Sequence, residues 1–217
     1  MTKTGDAARP TPAIEPESLT ETWILYKKPI LIGVIALAVV GGGVWMWRST
    51  SAKKELRADQ AYTAAEASYM AGNKALAVPE LEKVATRYQG TTAGTQAAML
   101  IAESQMEQGK NTEAVAQLEG VLSSAPGPMK SGLYALLGAA YEGSGKPKEA
   151  ADAFGRAAAA AAFQADKDMQ LIEQARNLVA AGDKPAGEKI LREIAGREDS
   201  PYAGEARVRL GEVTAKQ

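Results

Sequence analysis

One stretch of the chain ends like a phosphate-binding loop. In AYEGSGKP, Gly145 and Lys146 match the end of a motif in which backbone N–H groups and a lysine hold phosphates. However, Pro147 stands where such loops have serine or threonine, Ala140 occupies the first glycine position, and no strand is predicted before the motif. A turn between two helices explains these residues, so we do not predict nucleotide binding.

Two other pairs of residues are of types that are common in catalytic sites. Ser51 and Lys54 have the Ser-x-x-Lys spacing of penicillin-interacting serine enzymes, but the partner motifs of those enzymes are missing. Asp166 and Asp168 form a carboxylate pair near a predicted helix start, where negative charge suits the helix dipole. We interpret this pair as part of a solvated helix face.

The amino-acid composition excludes several kinds of catalytic and metal-binding site. The 217 residues include no cysteine and no histidine, and the net charge is -1. Thiol nucleophiles, disulfides, the usual zinc and haem ligands and the commonest general base near neutral pH are therefore absent from the sequence. The small net charge gives no general attraction for nucleic acid. We predict that the protein is not an enzyme and has no cofactor, catalytic residue, metal site or small-molecule substrate.

An uncharged segment lies near the N-terminus. Residues 29–47 (PILIGVIALAVVGGGVWMW) would form a helix of about 28 Å, close to the thickness of the hydrocarbon core of a membrane. Lys27 and Lys28 precede it, and Arg48 follows it. Aromatic residues typical of membrane interfaces flank both ends: Trp23, Tyr26, Trp45 and Trp47. We predict one transmembrane helix, preceded by a flexible polar tail at residues 1–28.

A cleaved signal peptide is the main alternative to this anchor, ahead of a buried core helix. Signal peptides usually have an apolar region of about 7–15 residues after a short basic start. Here the apolar run is longer and follows the tail of residues 1–28. Thr50 and Ala52 are small enough for a cleavage site, but the bulky residues 45–47 (WMW) crowd the approach to it. We therefore favour an uncleaved anchor.

Beyond the anchor, glycine turns recur at a nearly constant interval. The turns contain Gly72, Gly109, Gly145 and Gly182, at spacings of 37, 36 and 37 residues. Each glycine separates two stretches with helical periodicity. A fixed period in this range, with a helix, a glycine turn and a second helix in each unit, is typical of an α-solenoid.

The unit around Gly145 carries the clearest consensus. Leu137, Gly138 and Tyr141 precede the turn, and Ala150 and Phe154 follow it with the spacing of one helix face. This pattern resembles the tetratricopeptide repeat. The predicted fold is all-α: a single transmembrane helix (29–47), a charged helical neck (48–60) and a tetratricopeptide-type α-solenoid (61–217). The solenoid is expected to have three to four helix pairs and a final capping helix, SPYAGEARVRLGEVTAKQ.

The order of tail, membrane helix, neck and divergent repeats resembles the ancillary subunit of the bacterial Sec translocon. The repeat domain of that family is related to the domain of a periplasmic cell-division coordinator. The resemblance implies a protein of the bacterial inner membrane, with a cytoplasmic N-terminus and periplasmic repeats. Its expected partners are translocon components, periplasmic chaperones or client polypeptides. The alternative function is a structural scaffold in a cell-envelope or cell-division complex.

The tetratricopeptide register also predicts a binding surface. The first helix of each pair should line a groove, and we use that name for the surface formed by the first helices. Its predicted residues are Tyr62, Glu66, Tyr69, Met70, Met99, Glu103, Met106, Glu107, Glu142, Met169, Ile172 and Arg176. Four of the seven methionines lie in this set, and methionine suits adaptable apolar contacts. The alternative is that these methionines pack against neighbouring helices.

The charges around the apolar segment predict an orientation opposite to that of the family. Lys27 and Lys28 lie before the segment, whereas four basic residues follow it closely: Arg48, Lys53, Lys54 and Arg57. The positive-inside rule then puts the repeats in the cytoplasm, although long domains translocate largely regardless of such charges. For that reason we follow the family orientation.

A reporter fusion tests this orientation. A phosphatase that is active only outside the cytoplasm, fused after Gln217, should be active if the repeats are periplasmic. A fluorescent protein that folds only in the cytoplasm is the matched control and should stay dark at the same position. The reverse pattern would overturn the family orientation in favour of the charge count.

Overall fold

The computed structural model describes the backbone of residues 16–215 and the side chains of residues 31–46 and 48–215. Residues 1–15 of the predicted tail, residues 216–217 and the side chains of Trp23, Tyr26 and Trp47 lie outside this description. Throughout the described residues the regular structure is helical. The helices are α1 (Pro16–Met70), α2 (Lys74–Arg87), α3 (Thr92–Glu107), α4 (Asn111–Leu122), α5 (Lys130–Gly143), α6 (Pro147–Ala160), α7 (Gln164–Ala180), α8 (Lys184–Ala195) and α9 (Ala203–Ala215), with a 3₁₀ turn at Gly127–Met129.

The chain divides into two compact units, residues 1–51 and residues 52–217. In the first unit α1 begins at Pro16, so residues 16–28, which we expected in a flexible tail, are helical. Proline fits the first turn of a helix because its missing N–H would be unpaired there in any case. The side chains of residues 31–46 are exposed. The helix from Leu31 to Met70 includes a stretch that is long and apolar enough to cross a membrane, as judged by length and composition alone.

The second unit begins within the segment predicted as a neck. Lys54 donates a hydrogen bond to the carbonyl oxygen of Gln89 at 2.7 Å, and Glu55 accepts one from the N–H of Thr92 at 2.7 Å. Ala58 is fully buried. These contacts tie the predicted neck to the connection between α2 and α3. Most of that segment is therefore part of the repeat unit.

Within residues 52–215 each helix packs on the next one along the chain. The end of α1 pairs with α2, and the later pairs are α3 with α4, α5 with α6, and α7 with α8. The last helix, α9, packs on α8 and buries Ala203 and Ala206. The predicted solenoid of helix pairs with a final capping helix is confirmed.

The four predicted glycine turns share one geometry. Gly72, Gly109, Gly145 and Gly182 all have positive φ, between 71° and 91°. At each turn the glycine N–H bonds back three residues and the next N–H bonds back five, as for the N–H of Lys146 and the carbonyl of Tyr141 at 2.9 Å. This is the Schellman motif, which satisfies the last carbonyls of a helix and reverses the chain. The prediction of glycine turns is confirmed.

In the described residues 52–215 the core consists of three hydrophobic clusters. The first joins α1, α2 and α3; the second joins helices from α3 to α6; the third joins α7, α8 and α9. Alanine fills many of the fully buried positions, including Ala77, Ala97, Ala114 and Ala150. Because alanine is small, the helix axes can approach closely, and a few larger residues such as Leu118 fill the remaining space.

Gly138 marks the closest approach within the third pair. A Cβ atom at this position would lie 2.9 Å from three ring atoms of Phe154. Both residues are buried, and Phe154 is only 5% exposed, so the ring has little room to move. Leu137 and Ala150 are buried with them, and Tyr141 is half-buried over the turn. Leu137 and Tyr141 belong to the second hydrophobic cluster, and the contact of Gly138 with Phe154 joins α5 to α6.

The same substitution at two glycines tests this packing. Gly138→Ala should destabilise the protein by about 1–3 kcal/mol, because the added methyl group overpacks the contact with Phe154. Gly120→Ala is the matched control, since Gly120 is an exposed helical residue with open space at its Cβ position. It should be neutral or stabilise by up to about 1 kcal/mol. Urea denaturation followed by circular dichroism measures both, and equal stabilities would contradict the helix register.

Candidate binding surface

Contacts between the first helices of successive pairs form the predicted groove. Met99 in α3 lies close to Gly132 in α5: a Cβ atom added to this glycine would be 3.6 Å from Cε of Met99. Farther along, Arg176 in α7 binds Glu142 in α5. At the other end, α1 and α3 pack together in one hydrophobic cluster, which contains Tyr69 and Ile101. The first helices therefore form one continuous surface.

The part of the groove on α1 and α3 carries negative charge. The hydroxyl group of Tyr62 donates a hydrogen bond to Oε1 of Glu66 at 2.7 Å. Burial, this hydrogen bond and the charges of Glu66 and Glu103 all raise the pKa of the Tyr62 hydroxyl group. Burial and the charge of Glu107 also raise the pKa of the Glu103 carboxyl group. Glu66 and Glu103 thus act on the same tyrosine, and Glu107 acts on Glu103. We call these three glutamates the acidic cluster.

One cation in α2 borders the acidic cluster. Lys74 forms an ion pair with Glu107, and its ammonium group lies 4.9 Å from the centre of the Tyr69 ring. The pKa of Lys74 is raised, chiefly by the hydrogen bond with Glu107. Glu66 and Glu103 have no ion-pair partner within the described residues. The acidic cluster thus keeps a net negative charge.

Glu142, which was predicted as another acidic residue of the groove, is neutralised. Its two carboxylate oxygens accept hydrogen bonds from Nη1 and Nη2 of Arg176, each at 2.6 Å. Arg176 also pairs with Glu173 on its own helix. The hydrogen bond from Arg176 lowers the pKa of Glu142, with help from Asn177 and against the opposing effect of burial. This bidentate pair links α5 to α7 and leaves Glu142 little charge to offer a ligand.

The apolar residues predicted for the groove differ in exposure. Tyr69 is 8% exposed and Ile172 is 2% exposed, so both belong to the hydrophobic clusters and not to an open surface. Met99 and Met106 are half-buried and pack against the second cluster. Only Met70, at 70%, and Met169, at 39%, are substantially exposed among these residues. We therefore leave Tyr69 and Ile172 out of the open surface of the groove.

A pocket that sequence reasoning missed lies between the last three helices. Its volume is about 370 Å³, and we call it the end pocket. It is lined by Ile172, Arg176, Val179, Lys184, Leu191, Arg209, Glu212 and Val213. Two of these residues, Ile172 and Arg176, belong to the predicted groove, which the end pocket therefore adjoins. Val179 lies on the same face of α7 as Arg176. The other five residues belong to α8 and α9, which the repeat register does not align with the groove.

Three residues of the motifs that resemble phosphate-binding or catalytic sites have structural roles: Gly145, Lys146 and Lys54. Gly145 and Lys146 form the turn between α5 and α6. Lys54 donates its hydrogen bond to a main-chain carbonyl oxygen, and Ser51 is exposed. In the described part of the chain no group of three or more carboxylate side chains is arranged to hold a metal ion.

The prediction that Asp166 and Asp168 lie on a solvated helix face is wrong for Asp168. Asp168 is completely buried, forms an ion pair with Arg197 and accepts a hydrogen bond from Nε2 of Gln164 at 2.7 Å. Burial alone would raise the pKa of Asp168, but its polar neighbours Ser200, Gln164 and Arg197 outweigh this effect and lower it. Its neighbour Asp166 is exposed, as predicted. The sequence could not reveal the difference, because Arg197 lies 29 residues away.

The family follows from the sequence match and the fold together. The chain belongs to the tetratricopeptide repeat-like domain family, whose model matches residues 21–136, just over half of the chain. No curated protein is significantly similar to it. Domains of this fold generally mediate contacts between proteins and are typically not catalytic.

Solved structures show the same fold. One is a Podosopora anserina protein described as a putative kinesin light chain with nearly identical TPR-like repeats. Its TM-score is 0.59 at 18% sequence identity, and the match covers 74% of this chain and 88% of that one. A single-residue variant of the same protein gives a TM-score of 0.58 with equal identity and coverage. At this identity the similarity concerns the fold alone.

The ion pair between buried Asp168 and half-buried Arg197 predicts a pH-dependent stability. Asp168→Asn should cost about 1–3 kcal/mol at neutral pH, because it removes a charge-assisted hydrogen bond of a buried group. The folded pKa of Asp168 lies below its ordinary value of 3.8. The carboxylate therefore stabilises the fold above that value, and the contribution is lost as pH falls through the folded pKa.

Urea denaturation between about pH 7 and about pH 3 measures the difference in the free energy of unfolding between the unchanged chain and Asp168→Asn. This difference should be largest at neutral pH and should become smaller in acid. Asp166→Asn, two residues away in an exposed position, is the matched control and should change stability by less than about 0.5 kcal/mol. A difference of constant size at every pH would contradict the role given to the ionised carboxylate.

Proposed function

We propose that the protein is a membrane-anchored interaction module that holds partner polypeptides beside the bacterial inner membrane. The observation that carries this proposal is the acidic cluster on the groove, next to the exposed side chain of Met70. Three carboxylates on two neighbouring helices, with one lysine beside them, attract a positively charged partner. Proteins of this fold generally bind other proteins, and the acidic cluster favours partners that carry positive charge.

The acidic cluster favours segments that carry lysine or arginine next to an apolar side chain. Glu66 and Glu103 are free of ion pairs in the described residues, so a basic side chain can bind them without displacing an internal cation. Met70 offers an unbranched, adaptable apolar contact at the end of α1, the helix that carries Glu66. Binding should be weak, since ordering a flexible segment on a surface costs entropy.

Membrane anchoring rests on the apolar part of α1. The side chains of residues 31–46 are exposed, including leucine, isoleucine and valine residues that are more than half exposed. Such a surface is costly in water and is stabilised in a lipid bilayer. With the N-terminus in the cytoplasm, the repeats would face the periplasm, where segments emerging from the translocon and their chaperones are the expected partners.

A scaffold in an envelope or cell-division complex is the second candidate. The bidentate pair between Arg176 and Glu142 supports it, because this pair joins successive repeats and stiffens the solenoid. A scaffold needs such stiffness and binds one or two fixed partners. An interaction module for client polypeptides binds many.

Photo-crosslinking in cells separates the two functions. A photoreactive amino acid at Met70 should trap many polypeptides if the groove binds clients, and only one or two if the protein is a scaffold. The same amino acid at Glu82, an exposed position on α2, is the matched control and should trap few. Equal trapping from both positions would contradict binding in the groove.

Charge neutralisation tests the chemistry of the groove. The double variant Glu66→Gln/Glu103→Gln should lower trapping from Met70 by roughly two- to fivefold, because ion pairs near a surface contribute little each. Glu80→Gln/Glu82→Gln removes the same charge from α2 and should leave trapping unchanged. Undiminished trapping in the first variant would show that the carboxylates do not select the partner.

A further inference from the structure

The end pocket has the dimensions of a site for a side chain. Its volume of about 370 Å³ exceeds what one leucine or phenylalanine side chain needs, and it falls within the usual range for ligand sites. Ile172 and Leu191, each 2% exposed, form the floor. Val179 and Val213 add apolar wall area from α7 and α9. The interior therefore suits an apolar group.

Cations dominate the rim of the end pocket. Lys184 and Arg209 stand on α8 and α9, and Glu212 is the one carboxylate among the lining residues. Within the described residues Lys184 has no ion-pair partner, and Arg209 has only a long contact of 3.5 Å with Glu205. Both cations are therefore available to a ligand that carries negative charge.

The walls of the end pocket are held in place before any ligand binds. Arg176 is fixed by Glu142 and Glu173, so it closes one side as a paired group and not as a free cation. Gly187 allows α8 to pack directly on α7, since a Cβ atom there would lie 2.6 Å from Cγ2 of Val179 and 2.8 Å from the carbonyl oxygen of Ala175. A preformed pocket avoids part of the entropic cost of binding.

We propose that the end pocket binds a partner segment in which an apolar side chain adjoins an aspartate or glutamate side chain. The apolar group enters the pocket, and the carboxylate lies between Lys184 and Arg209. This inference rests on the proposed function, since it specifies the partner chemistry at one end of the same binding surface.

The end pocket and the acidic cluster together would give the groove a direction. Basic residues of a partner are favoured near α1 and α3, and acidic residues near α7, α8 and α9. A segment with both charges would bind in one direction only, because the reversed segment places like charges together. Electrostatic complementarity of this kind selects partners more than it strengthens binding.

Peptide binding to the full chain in lipid nanodiscs tests the end pocket. The probe is a fluorescent, ends-blocked peptide with the sequence Gly-Gly-Leu-Glu-Gly-Gly, followed by fluorescence anisotropy. We expect it to bind about three- to tenfold more tightly than the Leu-Gln peptide, from which the charge is missing. An Ala-Glu peptide should also bind more weakly, because it leaves the apolar pocket empty.

Charge reversal on the protein supplies the second arm. Lys184→Glu/Arg209→Glu should abolish the preference for Leu-Glu over Leu-Gln. Lys189→Glu/Arg207→Glu makes the same change in net charge at exposed positions of the same two helices that do not line the pocket, and it should preserve the preference. Circular dichroism checks that both variants keep their helix content.

Three results would overturn the inference. They are equal binding of the Leu-Glu and Leu-Gln peptides, a preference that survives reversal at Lys184 and Arg209, and self-association of the chain that this reversal abolishes while peptide binding is unchanged. The last result would make the end pocket an interface between copies of the chain. If crosslinking from Met70 persists in any of these cases, only the end pocket fails. Loss of that crosslinking would count against the proposed function itself.

Discussion

Each helix pair depends on a reversal of the chain between its two helices. This reversal requires one residue in the left-handed backbone conformation. At Gly72, Gly109, Gly145 and Gly182 the reversal takes the same form, with paired hydrogen bonds that satisfy the last carbonyls of the preceding helix. A side chain with a Cβ atom is strained at such φ values. Because the turn is the same each time, the second helix leaves in the same direction and each pair can stack on the previous one.

Stacking then requires small residues where the helices approach. Ala97, Ala114 and Ala150 are fully buried, and Gly138 and Gly187 occupy points where even a methyl group would collide. Close approach brings the first helices of neighbouring pairs within reach of each other's side chains. The interactions of Glu103 with Tyr62, and of Arg176 with Glu142, follow from this spacing. The groove is thus a consequence of how the core is packed.

Electrostatic differences along the groove arise from which carboxylates find partners. Glu142 is neutralised by Arg176 from the next repeat, whereas Glu66 and Glu103 keep their charge within the described residues. At the far end Lys184 and Arg209 surround an apolar pocket. A surface built from repeated units therefore presents different chemistry at its two ends, and this difference underlies both proposals for the partners.

The sequence by itself determined the repeat architecture, because glycine turns and small helix-face residues are local signals that recur at a fixed period. It predicted the positions of the turns, the helix-face residues Gly138 and Phe154 on either side of one turn, and the capping helix. It did not determine which side chains are buried or paired across repeats. Asp168 looked like a solvated carboxylate until Arg197 was placed beside it, and Tyr69 and Ile172 looked like surface residues. The end pocket also depends on tertiary structure, since its walls come from three helices whose angles decide whether a cavity remains between them.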